Sequence, residues 1–141
     1  MQDKVFLDSN VLIYLYSEDE PEKANLALKC AQEPNVWIST QVLNEVSNVM
    51  YRKQKLAYAE ILKVVQELQS NFQVTTVTTR TIEQALLLGE RYRYSYFDCL
   101  MLASSLEQGC VRLYSEDMQH EQIIEGSLRI VNPFAGQLLS E

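Results

Sequence analysis

The sequence predicts an α/β protein, a three-layer α/β/α sandwich around a five-stranded, mostly parallel sheet. Short runs of β-branched and apolar residues recur along the chain, and longer segments with helical apolar spacing lie between them. Strands that alternate with helices imply parallel pairing, with helices on both faces of the sheet. No linker, internal repeat or low-complexity stretch interrupts the 141 residues, so one domain is expected over residues 1–141.

The first strand is Val5 to Leu7, and a carboxylate, Asp8, follows at once. A charge there sits at the carboxyl end of the sheet, the edge where open α/β sheets bind ligands. Taken alone, Asp8 reads as the N-cap of the next apolar run, Val11 to Tyr16. Pro21 suits the first position of a second helix, whose apolar side is Ala24, Leu26, Ala27, Leu28 and Ala31. Pro34 and Asn35 end it, and Val36 to Ser39 reads as the second strand. Ser39 or Thr40 then caps a helix with Val42, Leu43, Val46, Val49 and Met50 on its apolar side. Glu45 lies within that helix, beside core positions and without a capping role.

Tyr58 to Gln69 is the next helix, with Ile61, Leu62, Val65 and Leu68 expected inward. Phe72 to Thr78 is rich in β-branched residues and reads as strand three. Ile82 to Tyr92 is helical, with Ile82, Ala85, Leu86 and Gly89 spaced as one face, and Tyr94 to Phe97 interrupts it. Phe97 to Gln108 is apolar nearly all round, the mark of a buried helix, and Gly109 ends it. Val111 to Tyr114 is strand four, Met118 to Ile124 a short helix or turn, and Leu128 to Val131 strand five. Asn132 and Pro133 close that strand, and a polar tail follows.

Composition narrows the function. Apolar content of 47% and charged content of 22% suit a soluble globular protein. No apolar run approaches the roughly 20 residues that span a bilayer, and no basic segment followed by an apolar one marks a leader. Cys30, Cys99 and Cys110 show no CxxC spacing and suit buried thiols in a reducing cytosol, so a cytoplasmic location is expected. A formal charge of −7, from 12 basic and 19 acidic residues, argues against broad electrostatic binding to nucleic acid. A local basic strip, or a metal ion bridging carboxylates to phosphate, remains compatible with it.

Three further acids fall at informative places. Asp117 directly follows strand four, so it shares the sheet edge with Asp8. Asp98 opens the buried helix, three residues after Ser95, where a capping box is the simplest account. Glu45 lies in the first half of a helix that leaves the same edge. The four side chains are therefore expected around one pocket. Packed carboxylates repel unless protons or a divalent cation neutralise them. An oxygen-only donor set without a Cys or His cluster suits Mg²⁺ or Mn²⁺ rather than Zn²⁺. Such a site activates water and binds phosphate oxygens, which is nuclease or phosphatase chemistry.

Asp8 in DSNVLIY, Glu45 in LNEV, Asp98 in YFDCLMLASSLEQG and Asp117 in LYSEDMQ together resemble the acidic motifs of PIN-domain ribonucleases. Their order and spacing match, as does the VNPF ending at Val131 to Phe134, and the resemblance covers essentially the whole chain. It is closest to the small VapC-type toxins of toxin–antitoxin pairs. The resemblance implies a five-stranded PIN-like sheet and Mg²⁺-dependent cleavage of RNA phosphodiesters. It also implies a homodimer and inhibition by a cognate antitoxin protein. It makes Asp8, Asp98 and Asp117 metal ligands, direct or through water, and Glu45 a ligand or the residue that orients the attacking water. Ser115 matches the family's hydroxyl residue two before the last acid, and Asn10 is placed beside the site. Glu121 departs from the pattern, because similar sequences often carry Gly after the histidine. It adds negative charge near the pocket, and the lone His120 reads as structural or solvated before it reads as an acid or base.

Basic and aromatic residues cluster from Gly89 to Asp98, where Arg91, Arg93, Tyr92, Tyr94 and Tyr96 lead into Asp98. Two accounts stand side by side there. Arg91, Arg93 and Tyr94 hold RNA through phosphate contact and base stacking, or they form a solvated helix end with a tyrosine packing corner. At Arg52, Lys53 and Lys55 the helix dipole is explanation enough. Competing functions fare worse. A haloacid-dehalogenase-type phosphotransferase needs a second Asp two residues after the first, and position 10 is Asn. A dinucleotide-binding protein needs GxGxxG after strand one, which is missing. The non-enzymatic alternative is a catalytically silent PIN-like binding or scaffold protein; the four acids speak against it, and metal titration discriminates.

Overall fold

The structure, a computed structural model, describes residues 2–136. The polar tail expected at the end falls largely outside them. The strands are β1 (Val5–Leu7), β2 (Val36–Ser39), β3 (Gln73–Thr75), β4 (Arg112–Tyr114), β5 (Ile123–Ile124) and β6 (Leu128–Val131). They form one sheet in the order β3-β2-β1-β4-β6-β5. The first four pairings are parallel, which gives the five parallel strands expected. The helices are α1 (Ser9–Leu15), α2 (Pro21–Ala31), α3 (Thr40–Arg52), α4 (Tyr58–Asn71), α5 (Thr79–Tyr92) and α6 (Tyr96–Glu107).

The apolar run of β1 is wholly buried, with Val5, Phe6 and Leu7 each at 0% exposure. Full burial of three such side chains contributes about 6 kcal/mol, and it pins the centre of the sheet. From β1 the chain adds β2 and β3 on one side, then returns to place β4 on the other. That reversal is a topological switch point, and it opens a crevice at the carboxyl ends of β1 and β4. Leu7 is in register with Tyr114, and the Asp8 N–H donates to the Tyr114 carbonyl at 3.0 Å. Asp8 and Ser115 therefore leave the sheet side by side.

Helix starts are set by hydroxyls and carboxylates at this edge. Asp8 caps α1, Ser39 caps α3 by accepting from the Val42 N–H at 3.2 Å, and Ser95 caps α6 by accepting from the Asp98 N–H at 3.3 Å. Helix α6 is buried without a break from Cys99 to Ser105, as its all-round apolar sequence requires.

Four local expectations are corrected. The strand over Phe72 to Thr78 shortens to Gln73–Thr75, because Thr78 is spent as the cap of α5. That helix buries Thr81, Ala85 and Leu88 rather than Ile82 and Leu86, which are 37% and 59% exposed. A hydrogen bond of 2.7 Å from the Thr81 hydroxyl to Glu107 accompanies this rotation. Leu62 of α4 faces solvent while Ile61 and Leu68 pack. Of the segment Met118 to Ile124, expected as a short helix or turn, His120 and Glu121 form a turn, but Ile123–Ile124 pairs antiparallel with β6 as a sixth strand. The turn between them places Glu125 and Gly126 at φ 52° and 72°, the positive values a tight hairpin demands.

Candidate metal centre

Asp8 is 3% exposed. One carboxylate oxygen accepts from the Ser9 N–H at 2.7 Å, and the other accepts from the Ser115 hydroxyl at 2.7 Å. The capping reading and the site reading thus hold together, for one carboxylate serves both. Burial pushes the Asp8 pKa up to about 7, with smaller upward pushes from the charges of Glu45 and Asp98. The bonds from Ser115 and Ser9 oppose the rise without cancelling it.

Asp98 sits in the first turn of α6. Its pKa is also raised, first by burial and then by the negative charges of Asp117 and Glu45. Asp117 follows β4 on an exposed loop, where its N–H donates to the Ser115 hydroxyl at 3.2 Å. Asn10 reaches across from α1, donating to Asp117 at 3.0 Å and accepting from the Glu116 N–H at 3.3 Å. Ser115 and Asn10 are therefore the residues that tie the first acid to the last.

Asp8, Asp98 and Asp117 each offer a carboxylate oxygen, and the three oxygens lie within 4.8 Å of one another. Three acids drawn from positions 8, 98 and 117 thus converge closely enough to share one ion. Carboxylate oxygens with no sulfur or imidazole suit a hard divalent cation, so the residues fit Mg²⁺ or Mn²⁺. Glu45, expected as a ligand or as the residue that orients the attacking water, is not one of this trio. Its oxygens accept from the Ser9 hydroxyl at 2.7 Å and from Gln41 at 3.1 Å. It still acts on the centre through its charge, which raises the pKa of both Asp8 and Asp98.

Sequence reasoning missed Ser9 and Gln41, which fix the Glu45 carboxylate. Gln41 had a signal, because it precedes Glu45 by four residues on one helix and such pairs face each other. It also missed a neighbouring lock. Glu116 accepts from Lys23 at 2.8 Å and from the Tyr14 hydroxyl at 2.7 Å. The Lys23 ammonium lies 4.6 Å from the Tyr14 ring centre, and Tyr14 meets Phe134 edge-on at 4.9 Å. This cluster holds the loop between β4 and Asp117 against α1, α2 and the chain's VNPF segment.

Of the residues expected to hold RNA, the structure engages two elsewhere. The Arg91 guanidinium bonds both oxygens of Glu125 at 2.5 and 2.6 Å. Tyr94 donates to Gln122 and accepts from the Gln119 N–H at 3.0 Å. Arg93 is exposed in a left-handed conformation, φ 64°, at the end of α5. His120 accepts from the Asn132 N–H at 2.9 Å through Nδ1, a structural role in the turn that closes β6. Glu121 faces Arg129 at 3.6 Å and His120 at 3.5 Å.

A mostly parallel sheet whose switch point gathers three carboxylates defines an α/β protein with a candidate site for a metal ion. The model of the PIN domain family matches residues 5–125, and the chain belongs to that family. No curated protein sequence matches it. Solved structures share its fold. A toxin–antitoxin complex from Klebsiella pneumoniae is 22% identical over 92% of this chain and 97% of its own, with a TM-score of 0.67. VapC20 from Mycobacterium tuberculosis, described as a sarcin–ricin-loop-cleaving toxin, is 20% identical over 80% and 89%, with a TM-score of 0.62. VapBC2 from Rickettsia felis, bound to a promoter DNA fragment, is 15% identical over 92% and 99%, at 0.65.

Proposed function

We propose that this chain, a single PIN-like domain over residues 1–141, is a metal-dependent endoribonuclease and the toxin of a toxin–antitoxin pair. The observation that carries the reading is the trio Asp8, Asp98 and Asp117, three carboxylate oxygens within 4.8 Å at the switch point. In this reading the three hold Mg²⁺ or Mn²⁺, which supplies an activated water and neutralises charge on the scissile phosphate. Glu45, fixed by Ser9 and Gln41, orients the attacking water and takes up its proton. Ser115 keeps Asp8 aimed at the centre, and Asn10 keeps Asp117 beside it. Arg93 supplies a cation to the RNA backbone, the part of the Arg91, Arg93 and Tyr94 expectation that the contacts leave exposed.

A cognate antitoxin fits the same centre by presenting an Arg, whose fork matches carboxylates bidentately and replaces the metal's charge. The toxin–antitoxin assemblies among the fold's neighbours support such a partner. A homodimer is proposed with it, supported by the exposed Leu86 and Leu87 of α5 at 59% and 64%. Among the described residues no helix is long and apolar enough to cross a membrane, and the three cysteines are free and buried. A reducing cytoplasm suits such thiols.

The test is cleavage of a single-stranded or looped RNA by the purified protein. Activity is expected with Mg²⁺ or Mn²⁺ and none in EDTA. Undiminished cleavage in chelator would sink the metal mechanism, and metal binding without cleavage of any RNA would favour the silent scaffold.

A further inference from the structure

Away from the carboxylates, the corner where α3 gives way to α4 collects charge and rings that the fold does not use. Of the chain's 12 basic residues, Lys23, Arg91, Arg112 and Arg129 are ion-paired. Lys4 donates to the Gln108 carbonyl and lies over the Trp37 ring. Among the described residues, Arg52, Lys53 and Lys55 form no ion pair, yet they fall within four positions. Glu60, in the first turn of α4, turns its carboxylate to the Ala57 N–H at 3.1 Å.

Beside these cations Tyr51 and Tyr58 stack face to face, 4.8 Å between centres and 6° from parallel. Both rings are open to solvent, at 48% and 72% exposure. Tyr51, Arg52, Lys55 and Leu56 line one shallow cavity. Lys55 holds φ 58°, a left-handed conformation that glycine adopts without strain. The helix dipole accounts for a cation in the last turn of α3. It accounts neither for Lys55, which lies beyond the helix, nor for a solvent-exposed aromatic stack.

Position links the corner to the centre. Arg52 lies seven residues after Glu45 on α3, two turns on and on the same stripe, about 10 Å along the axis. A strand that leaves the carboxylates along that stripe arrives at the cations. We propose that this corner is a second contact for single-stranded RNA. An unpaired base stacks on the Tyr51–Tyr58 pair, and Arg52, Lys53 and Lys55 hold the flanking phosphates. The ligand class rests on the nuclease reading. The surface favours RNA over an acidic peptide because a peptide would engage the cations and leave the rings uncovered, whereas each base has a face to stack.

The experiment is fluorescence anisotropy of a labelled single-stranded RNA with the full chain in EDTA, where the unneutralised carboxylates repel RNA and the corner's share of the binding is largest. Tyr58→Ala is expected to weaken binding about tenfold. The double change Arg52→Gln with Lys55→Gln is expected to lower the log–log salt slope by about 1.4, two phosphate contacts' worth on a single strand. Both sites are exposed, and thermal melting confirms that each variant is folded. Asp98→Asn should bind RNA at least as tightly as the wild type. A wild type that binds RNA at the corner yet cleaves none would therefore overturn the nuclease reading and support the contact. Affinity and salt slope unchanged in both corner variants would overturn the contact. So would tighter binding of poly-glutamate than of RNA with no effect of Tyr58→Ala.

Discussion

Glu116 and Asp117 are neighbours in sequence and opposites in treatment. Glu116 is matched by the Lys23 ammonium and the Tyr14 hydroxyl, and its pull raises the Lys23 pKa. Glu33 likewise receives Arg112 of β4 at 2.8 Å, and Tyr114 of the same strand. Asp117 instead joins Asp8 and Asp98, and among the described residues none of the three forms an ion pair with Lys or Arg. The chain does not lack cations nearby. It spends them on the acids that hold the loop and withholds them from the acids that face the crevice. A carboxylate with its cation built in serves the fold, and one without it is open to an ion from outside.

The sharpest way to break this contrast is Asp98→Asn. RNA cleavage should be abolished, while the metal-free melting temperature holds or rises because a repelling charge is gone. Mg²⁺ should raise the melting temperature of the wild type and hardly move the variant, since a ligand of the native state alone adds stability. A variant that melts lower, with Mg²⁺ moving neither protein and cleavage intact, would return Asp98 to helix capping.

The next effect is on pH. Asp8 has a folded pKa of about 7 against 3.8 for the unfolded chain. Between those values the native state binds the extra proton, so metal-free stability should fall as pH rises from about 4 to 7 and level off above. The upper limit of that fall is about 4 kcal/mol, from a shift of about three pKa units. Urea titrations of wild type and Asp8→Asn across this range measure it, and a wild-type curve as flat as the variant's would refute the burial argument. Metal should bind more weakly below pH 7, where it must displace the proton.

Lys23→Met tests the paired side. Its expected cost is about 1 kcal/mol of stability, from a partly exposed ion pair with a charged hydrogen bond. The freed loop should also weaken Mg²⁺ binding about tenfold, the lower range for outer partners of metal ligands. Calorimetric titration reads both directions, and Lys23→Arg should restore metal affinity. The smallest effect is expected from Gln41→Ala, which frees one oxygen of Glu45. A loss of about 1 kcal/mol in transition-state stabilisation corresponds to roughly fivefold in kcat, with the melting temperature almost unmoved.

Much of this arrangement was legible in the amino-acid order because it depends on local pattern. β1 announces itself by three apolar residues before Asp8, and α6 by its unbroken apolar run. The PIN resemblance, drawn from four acids in order, agrees with the family match over residues 5–125. What stayed hidden depends on distance or on a choice between near-equal faces. The Lys23–Glu116 pair spans 93 positions, and no periodicity connects its ends. In α5 leucines lie on several sides, so the Thr81–Glu107 bond, not the apolar count, marks the inner face. In β5 two isoleucines are too few to display alternation, and Glu125–Gly126 is a weaker turn signal than Asn-Gly. For Glu45 the order of residues left ligand and water-orienting roles open, because spacing gives the element and the edge, not the last few ångströms of a side chain.

The bond between Ser115 and Asp8 closes a loop of 107 positions, and it forms only when β4 lies beside β1. Ribosomes add residues at about 5–20 per second, and strands this far apart in sequence pair late. A nascent chain that has emerged as far as α6 carries Asp8, Glu45 and Asp98 but neither β4 nor Asp117. The carboxylate trio is thus complete only once Asp117 has been made, and every truncated product that stops before residue 117 lacks it.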